Sequence, residues 1–399
     1  FAYRKLQDTA SDCEDRCDQI EREMRDSKAA ERFALKQSQA FVDQMEGFAL
    51  ELEDELMNFS DVSYKSFVKS ESEIITLFYD KFADIPLLSR MDAVAETFID
   101  EIETLLNRDL PEEERIPLIE KFRKMYETMD FYVLYNRFLK KEGYQTLPRR
   151  PLEKRKLRYE DVYPVLYLKY RLSRQAERSN IKHLVIDEMQ DYSRLQYLII
   201  RRMFSCKMTI LGDRAQTMAD QQQDVLQFLP GIFGKDLRRI EMRKSYRNTV
   251  EIASYAANLI GVTDLELFER HGMPVLERDV TDLEAALREA VDTLFPEEKT
   301  YETAAVIVPD EKTAERAYLI LREILAEKDF DCGKRLSWLN RDSSSFKKGL
   351  TVTTFYLAKG LEFDQVVSIF PKDEKREMMM QAQYIAATRA LHELRVYHI

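Results

Sequence analysis

A short apolar run that ends in carboxylates is the feature that most constrains the fold of this chain. Leu184, Val185 and Ile186 lead directly into Asp187 and Glu188. Three apolar residues in succession predict a strand that is buried on both faces, as in a parallel sheet. In open α/β sheets, ligands bind beyond the carboxyl ends of such strands. The pattern therefore predicts a ligand site at the two carboxylates, although a solvated acidic turn after a strand has the same composition.

Beyond residue 181 the chain alternates between predicted strands and predicted helices. The strands are predicted at 184–186, 208–211, 237–242, 303–308, 350–354, 365–369 and 394–398. The helices are predicted at 194–204, 248–260, 312–327 and 381–391. Such alternation is typical of a parallel, doubly wound sheet, so we assign this part of the chain to the α/β class.

The first 150 residues show a helical pattern instead. Helices are predicted over 1–57 and at 90–107, 111–128 and 129–141, and another follows at 159–172. Alternation over 62–68 predicts an isolated strand, and Ser70 with Glu73 predicts a capping box that opens a helix to about Phe82. We assign 1–150 to an all-helical module, which either contacts a partner or packs on the main body as an insertion.

Composition excludes several classes of protein and of site. The chain has 399 residues and a net charge of −11. It contains no apolar run of about eighteen residues, which predicts a cytoplasmic protein without a membrane span. The 4 cysteines and 4 histidines are scattered, so we expect neither a disulfide framework nor a zinc site. The 10 glycines include no G-x-x-x-x-G-K-S/T phosphate loop.

Five stretches follow one another from residue 185 onward. They are VIDEMQD at 185–191, LGDRAQ at 211–216, SYRNT at 245–249, TTFYLAKGLEFD at 353–364 and YIAATRA at 384–390. In order and spacing they resemble motifs II to VI of UvrD/Rep-type superfamily 1 helicases. The resemblance implies two RecA-like P-loop NTPase domains, the first of them incomplete, over 151–242 and 243–399. It also implies ATP in the cleft between those domains, Mg²⁺ as a second cofactor, and DNA as the partner.

The carboxylates and amides of the first two motifs fit the chemistry of phosphoryl transfer. That reaction needs a metal ion near the transferred phosphate and a group that polarises the attacking water. Asp187 is the residue expected to hold Mg²⁺, and Glu188 is the expected general base. Gln190 and Gln216 are neutral amides expected to sense the γ-phosphate or the water.

The remaining site residues come from the later motifs. Arg247 and Arg389 are planar cations expected to neutralise charge in the transition state. The resemblance implies that Tyr246 stacks on adenine and that Glu362 contacts the ribose. Lys359 and Gly360 lie in the same loop as Glu362 and are assigned to nucleotide binding, whereas Thr354 matches a family contact to the nucleic-acid backbone.

The sequence departs from the helicase pattern in two informative respects. The phosphate-binding loop that precedes these motifs in the family is missing, so we expect a fragment that binds ATP poorly and hydrolyses little or none. Ala219 and Gln221 stand where the family carries aromatic residues that stack on bases, a contact worth about 1–3 kcal/mol per base. Tyr356 replaces the usual histidine of motif V.

Further stretches resemble the HelD-like subgroup of these helicases. They are YEDV at 159–162, LYLK at 166–169, DYSRLQY at 191–197 and TRALHEL at 388–394. Members of that subgroup use ATP to release bacterial RNA polymerase from nucleic acid, which makes RNA polymerase an alternative partner. Because the phosphate loop is missing, a non-catalytic scaffold with a vestigial motor fold is a third interpretation.

Overall fold

The chain folds into two compact units. The computed structural model describes residues 2–174, 180–213, 216, 225–234, 237–242, 244–262, 266–294, 301–327, 336–343, 348–372 and 377–399. The first unit comprises Phe1–Leu211 and Val225–Asp236, and the second comprises Gly212–Asp224 and Leu237–Ile399. The polypeptide therefore enters the second unit, returns to the first, and enters the second again.

Helices dominate the first unit. They are α1 (Ala2–Lys5), α2 (Arg16–Arg25), α3 (Ser27–Gln37), α4 (Gln39–Glu55), α5 (Glu71–Thr76), α6 (Arg90–Leu106), α7 (Glu112–Arg123), α8 (Phe131–Lys141), α9 (Tyr159–Leu172), α10 (Arg194–Met203) and α11 (Val225–Phe233). The short strands of this unit are β1 (Asp12–Cys13), β2 (Val62–Tyr64), β3 (Phe67–Lys69), β4 (Lys156–Leu157), β5 (His183–Ile186) and β6 (Lys207–Ile210). This arrangement confirms the helices predicted between residues 1 and 172.

One apolar core holds most of the first unit together. It runs from Leu6, near the start of the chain, to Met203 at the end of α10. Helix α9 contributes Val165 and Leu168, both fully buried. Residues on both sides of position 150 thus share this core, and the assignment of 1–150 to a separate functional module stays a prediction.

A buried ionic network ties the first turn of α9 to α2, α3 and α8. Arg22 Nη2 lies 2.5 Å from Glu160 Oε2, and Lys36 Nζ lies 2.5 Å from Asp161 Oδ1. The hydroxyl of Tyr135 donates to the same Asp161 oxygen at 2.7 Å. Burial, reinforced by Asp161, raises the pKa of the Tyr135 hydroxyl well above its ordinary value. The acidic first turn of α9 is therefore satisfied by charges that come from distant parts of the sequence.

The region around residues 62–82 differs from its prediction in one respect. The strand predicted over 62–68 is a hairpin, in which β2 and β3 pair antiparallel around Lys65, a residue with φ of 54°. The alternating pattern did not show the reversal because the turn contains no glycine. The capping box of Ser70 and Glu73 is confirmed at the start of α5, and the helical path continues as a π-helix over Leu77–Lys81.

Strands β5 and β6 form a two-stranded parallel pair in the part of the chain that the structure describes. Ile186 is buried and packs with Tyr197, Val225 and Phe228 in a small apolar cluster. Val185 points to the other face and is 60% exposed. The prediction that this strand is buried on both faces is therefore wrong for Val185, because only one face of the described pair is covered.

The second unit is built on a parallel sheet of six strands. Their order is β11 (Leu336–Trp338), β12 (Gly349–Thr354), β10 (Thr303–Val308), β13 (Phe363–Phe370), β14 (Ala390–His398) and β9 (Leu276–Asp279). A separate parallel pair joins β7 (Lys244–Ser245) to β8 (Glu266–Leu267). The helices are α12 (Val250–Leu259), α13 (Leu283–Val291), α14 (Glu311–Glu327), α15 (Phe355–Ala358) and α16 (Glu377–Thr388). Strands alternate with helices as predicted, which confirms the α/β class.

The central strand β10 shows why this sheet is stable. Ala304, Val306 and Val308 pack with residues of α13 and α14, whereas Ala305 and Ile307 are buried on the opposite face. An apolar run of this kind is the sequence signature of a parallel strand covered on both sides. The sheet therefore supplies a rigid frame for the loops at its ends.

Two other predictions in this part of the chain need correction. No strand forms over 237–242, where Ile240 and Met242 are almost completely exposed, because the described residues offer this segment no partner strand. The helix predicted over 381–391 ends at Thr388, because β14 begins at Ala390. Among the described helices, none combines the length and apolar character that crossing a membrane requires.

Candidate functional site

The carboxylates after β5 lie in a turn that the backbone fixes at both ends. The Leu211 N–H donates to the Ile186 carbonyl at 2.8 Å, and the Met189 N–H donates to the Leu211 carbonyl at 2.8 Å. Asp187 and Glu188 lie between these two bonds, directly beyond the carboxyl end of the strand. The Asp187 carboxylate is exposed, and its Oδ1 accepts the Glu188 N–H at 2.8 Å.

The backbone of Glu188 adopts a conformation that a bulky residue rarely takes. Its φ is 53° and its ψ is 50°, in the left-handed region. The other described non-glycine residues with positive φ have ordinary explanations, since Lys65 occupies a hairpin turn and Asn107 caps the end of α6. Such strain costs about 1–3 kcal/mol and is concentrated at functional sites. The conformation aims the Glu188 side chain away from the course of the strand.

Gln190 fixes that side chain. The Gln190 Nε2 donates to Glu188 Oε2 at 2.6 Å, and Gln190 itself is buried. The Tyr197 hydroxyl donates to the Met189 carbonyl at 3.1 Å, which anchors the same short turn from α10. The first unit thus brings three predicted residues together: Asp187, Glu188 and Gln190.

The donor set fits a magnesium ion that is held partly by a nucleotide. Among the described residues, no group of three histidine, cysteine, aspartate or glutamate side chains could hold a metal by itself. Magnesium commonly uses one or two carboxylates and completes its shell with water and substrate phosphates. Asp187 offers one exposed carboxylate oxygen atom that does not accept the Glu188 N–H. These features suit a metal that arrives with a phosphate ligand.

The second unit gathers the other predicted residues at the edge of its sheet where β13 and β14 begin. Arg389 immediately precedes β14 and is only 1% exposed. Its Nε donates to the Ile385 carbonyl at 3.2 Å, and its Nη1 donates to the Leu361 carbonyl at 3.4 Å. Its Nη2 donates to the Thr388 hydroxyl at 3.1 Å and to Gln216 Oε1 at 3.2 Å. A buried guanidinium with these acceptors has one fixed orientation.

Gln216 is the link between Arg389 and the loop after α15. The Gln216 carbonyl accepts a hydrogen bond from Lys359 Nζ at 2.9 Å, and its Nε2 donates to Asp213 Oδ2 at 2.9 Å. The hydroxyl of Tyr384 donates to the same Asp213 oxygen at 3.2 Å. Burial, reinforced by Asp213, raises the pKa of the Tyr384 hydroxyl, which keeps it protonated as the donor.

Arg247 and Glu362 form an ion pair at the same edge. Arg247 Nε lies 2.7 Å from Glu362 Oε1, and the two side chains are about equally accessible. The next residue, Asn248, is buried and donates from Nδ2 to the carbonyls of Thr388 at 3.2 Å and Ala390 at 2.6 Å. Those two residues flank Arg389, so a single asparagine joins the segment that carries Arg247 to the segment that carries Arg389.

The remaining predicted residues differ in exposure. Gly360 has φ of 84°, which favours glycine at the turn between Lys359 and Glu362. Tyr246 projects into solvent and is 60% exposed. Thr354 is fully buried, and its hydroxyl has no hydrogen-bond partner within the described residues. The role of Thr354 in nucleic-acid binding therefore stays a prediction, and in this conformation its side chain does not reach the surface.

Several residues that organise the site were missed by sequence reasoning. Asp213, Asn248, Arg270 and Tyr384 all connect predicted residues or their backbone. Arg270 Nη2 donates to the Leu391 carbonyl at 2.8 Å and also to the Arg247 carbonyl. Asn248 and Asp213 stand inside quoted motifs, so their motif position was an available signal. Arg270 lies outside all five stretches and carried none.

Comparison with known proteins identifies a family. Residues 4–218 match the model of the UvrD/REP helicase N-terminal domain. No curated protein sequence matches the chain.

Several solved structures are similar to parts of this chain. The C-terminal domain of a possible DNA helicase from Lactobacillus plantarum WCFS1 is 24% identical with a TM-score of 0.31, over 39% of this chain and 88% of that one. The PRRSV helicase is 14% identical with a TM-score of 0.32, over 67% of this chain and 45% of that one. The Arterivirus nonstructural protein 10 helicase, solved in complex with DNA, is 15% identical with a TM-score of 0.30, over 67% and 50%. The chain thus spans about half the length of these last two helicases.

Proposed function

Because the chain belongs to the UvrD/REP helicase N-terminal domain family, we propose that it forms part of an ATP-dependent helicase or translocase that acts on DNA. The observation that carries this proposal is the conformation of Glu188. A glutamate directly after a parallel strand is held in left-handed backbone while a buried amide fixes its carboxylate. A turn with no chemical task would relax to a residue that tolerates this backbone.

The proposed roles in the first unit follow from the position of each side chain. Asp187 would hold Mg²⁺ through its exposed carboxylate, and the bound metal would neutralise charge on the nucleotide phosphates. Glu188 would accept the proton of the attacking water, because its fixed carboxylate is oriented before substrate arrives. Gln190 would position Glu188 and respond to its protonation through the bond between them.

The proposed roles in the second unit belong to its two arginines. Arg389 is oriented before the reaction by carbonyl and amide oxygens, so little reorganisation would accompany its stabilisation of a developing charge. Arg247 is accessible and bound to Glu362, which it would exchange for a phosphate when nucleotide binds. We propose that this unit is a RecA-like domain and that the β5–β6 region belongs to a second, incomplete one.

Substitution of Glu188 by glutamine in the intact protein tests this function. Glutamine keeps the size and the hydrogen bond to Gln190 but cannot accept a proton. We expect ATP turnover to fall to background while the affinity for ATP stays within about twofold of the wild-type value, because no contact to the nucleotide is removed. Asp54→Asn, a change at another acidic residue of the first unit, serves as the matched control. Unchanged turnover in Glu188→Gln would remove this residue from its proposed role.

Remodelling of RNA polymerase is the second candidate function. The observation in its favour is the sequence at 219–221, where alanine and glutamine replace the aromatic residues that stack on bases in helicases, although these positions lie outside the described residues. A helicase should unwind a tailed DNA duplex and show ATPase activity stimulated by single-stranded DNA. A remodeller should bind RNA polymerase and unwind little. ATPase activity above background in either assay would exclude the non-catalytic scaffold.

A further inference from the structure

Two aromatic side chains outside the sheet of the second unit stand side by side at one end of the β7–β8 pair. Lys244 is paired in register with Glu266, and Ser245 with Leu267. The bonding continues one residue further, because the Phe268 N–H donates to the Ser245 carbonyl at 3.1 Å. Parallel pairing therefore brings the residue after each strand, Tyr246 and Phe268, to the same end of the pair.

The two rings form an accessible aromatic surface. Their centroids are 5.6 Å apart with an angle of 37° between the planes. Tyr246 is 60% exposed and Phe268 is 46% exposed. Aromatic rings this accessible lose hydrophobic stabilisation by about 25 cal/mol for each Å² of apolar surface left in water. A flat ligand that covered both rings would recover that stabilisation.

Lys244 adds a positive charge to this surface. Its Nζ lies 5.6 Å from the centroid of Tyr246 and 5.8 Å from the centroid of Phe268. An ammonium group at the border of two rings attracts a ligand that combines an aromatic face with electronegative edge atoms. Nucleobases have both properties, and every base offers a π-face for stacking. Aliphatic or cationic ligands have no such match to this surface.

The backbone next to the rings is fixed to the arginine cluster. Tyr246 directly precedes Arg247, which pairs with Glu362. Two residues after Phe268, Arg270 donates to the Arg247 carbonyl and to the Leu391 carbonyl. The rings and the cation that would meet a phosphate are therefore held in one local framework of the second unit.

We infer that Phe268 and Lys244 complete a base-binding platform with Tyr246, and that this platform holds the base of a nucleotide whose phosphates meet Arg247. The inference rests on the proposed function and extends it, since neither Phe268 nor Lys244 lies in the stretches that resemble helicase motifs. Phe268 would supply the second stacking surface. Lys244 would contact the ring nitrogen or carbonyl atoms at the edge of the base.

The experiment compares ligands with and without a base on the full chain. ATP and inorganic tripolyphosphate carry similar phosphate groups, but only ATP offers a base. Binding of each is measured calorimetrically for wild type, Phe268→Ala and Phe268→Trp. Met273→Ala, which removes another exposed apolar side chain of the same unit, is the matched control. A short oligothymidylate is the third probe, because single-stranded DNA could also present a base.

We expect Phe268→Ala to weaken ATP binding by about five- to a hundredfold, the range found when one stacking residue is removed. Tripolyphosphate binding should not change, and Phe268→Trp should restore ATP binding, because tryptophan keeps the stacking surface. Loss confined to the oligothymidylate would overturn the assignment to a nucleotide and place a nucleic-acid base on the platform.

Two further outcomes separate this inference from the proposed function. If wild type binds ATP and Phe268→Ala binds it equally well, the platform is wrong while ATP binding stands. Equal weakening of ATP and tripolyphosphate would also overturn the inference, because the base would then not be the group recognised. If wild type binds none of the three probes, both the proposed function and the platform fail.

Discussion

The Nη2 of Arg389 donates to Oε1 of Gln216 across 3.2 Å, and both side chains are buried. A neutral amide beside a buried guanidinium orients the cation without cancelling its charge. A carboxylate at the same place would hold the arginine more strongly but would use up its positive charge. The choice of glutamine therefore favours a cation that stays available to a ligand.

Two substitutions of Gln216 should separate orientation from charge. Gln216→Leu removes an acceptor from a buried guanidinium, so we expect a loss of about 1–3 kcal/mol in the free energy of unfolding and a fall in ATP turnover. Gln216→Glu keeps an acceptor and pairs with Arg389, so turnover should fall by about a hundredfold or more with little loss of stability. Urea unfolding and steady-state ATPase assays on the intact protein measure both quantities. Wild-type turnover in Gln216→Glu would show that the charge of Arg389 is not used.

The strained backbone of Glu188 predicts a difference between two variants that both lack the carboxylate. Glycine adopts left-handed backbone freely, whereas the Cβ of alanine makes it unfavourable. We expect Glu188→Gly to be more stable than Glu188→Ala by about 1 kcal/mol, although both should lack turnover. The corresponding pair at Lys65, which has similar φ in a hairpin, should show the same order of stability with normal turnover. Equal stability of the two Glu188 variants would mean that the turn leaves the left-handed region once the carboxylate is gone.

The buried contact between Lys36 and Asp161 should behave differently from an exposed ion pair. Lys36→Met leaves the Asp161 carboxylate buried without its cation, and we expect a loss of about 3–5 kcal/mol in the free energy of unfolding. The double variant Lys36→Met with Asp161→Leu should recover most of that loss, because no charge remains buried. Lys141→Ala, which breaks an exposed pair with Glu51, should change the free energy of unfolding by less than about 1 kcal/mol. A double variant as unstable as Lys36→Met would show that packing, and not charge, dominates this contact.

Glu251 predicts a dependence of stability on pH. Hydrogen bonds from His271 and from the Gly272 N–H lower the pKa of its carboxyl group from 4.5 to about 2. Because the folded state has the lower pKa, the stabilisation is fully present above pH 4.5 and is lost as pH falls toward 2. His271 is largely exposed, so solvent screening should make the effect small.

Glu251→Gln isolates this contribution. The difference in urea midpoint between wild type and Glu251→Gln should be largest near neutral pH and should shrink steadily between pH 4.5 and 2. Added salt should reduce it, because the interaction is accessible to solvent. A difference that stays constant through this range would assign the effect of the substitution to packing.

Local patterns predicted much of the secondary structure. Helix α9 was predicted with the bounds that the structure shows, because its apolar spacing is regular and Pro164 falls in its first turn, where proline is tolerated. The β10 run was predicted as a buried strand for an equally local reason. Exposure was harder to predict, since the apolar residues of 237–242 do not show whether another strand covers them.

The candidate site could be predicted as a set of residues but not as a set of contacts. Motif order assigned Arg247 and Glu362, yet their pairing depends on how two distant loops meet at one edge of the sheet. Arg270 supports the same edge through carbonyl oxygens, and backbone acceptors leave no trace in side-chain identity. Phe268 was missed because its partner ring is adjacent only after β7 and β8 pair in parallel.

The early excursion of the chain into the second unit limits how this protein can be divided. Gly212–Asp224 belongs to the second unit, although the residues before and after it belong to the first. Within that excursion, Asp213 and Gln216 receive hydrogen bonds from Tyr384, Lys359 and Arg389. A gene segment that began at Leu237 would encode all six strands of the large sheet but would deprive these three side chains of their acceptors. The second unit is thus not a portable cassette, and recombination that exchanged it would have to carry part of the preceding sequence with it.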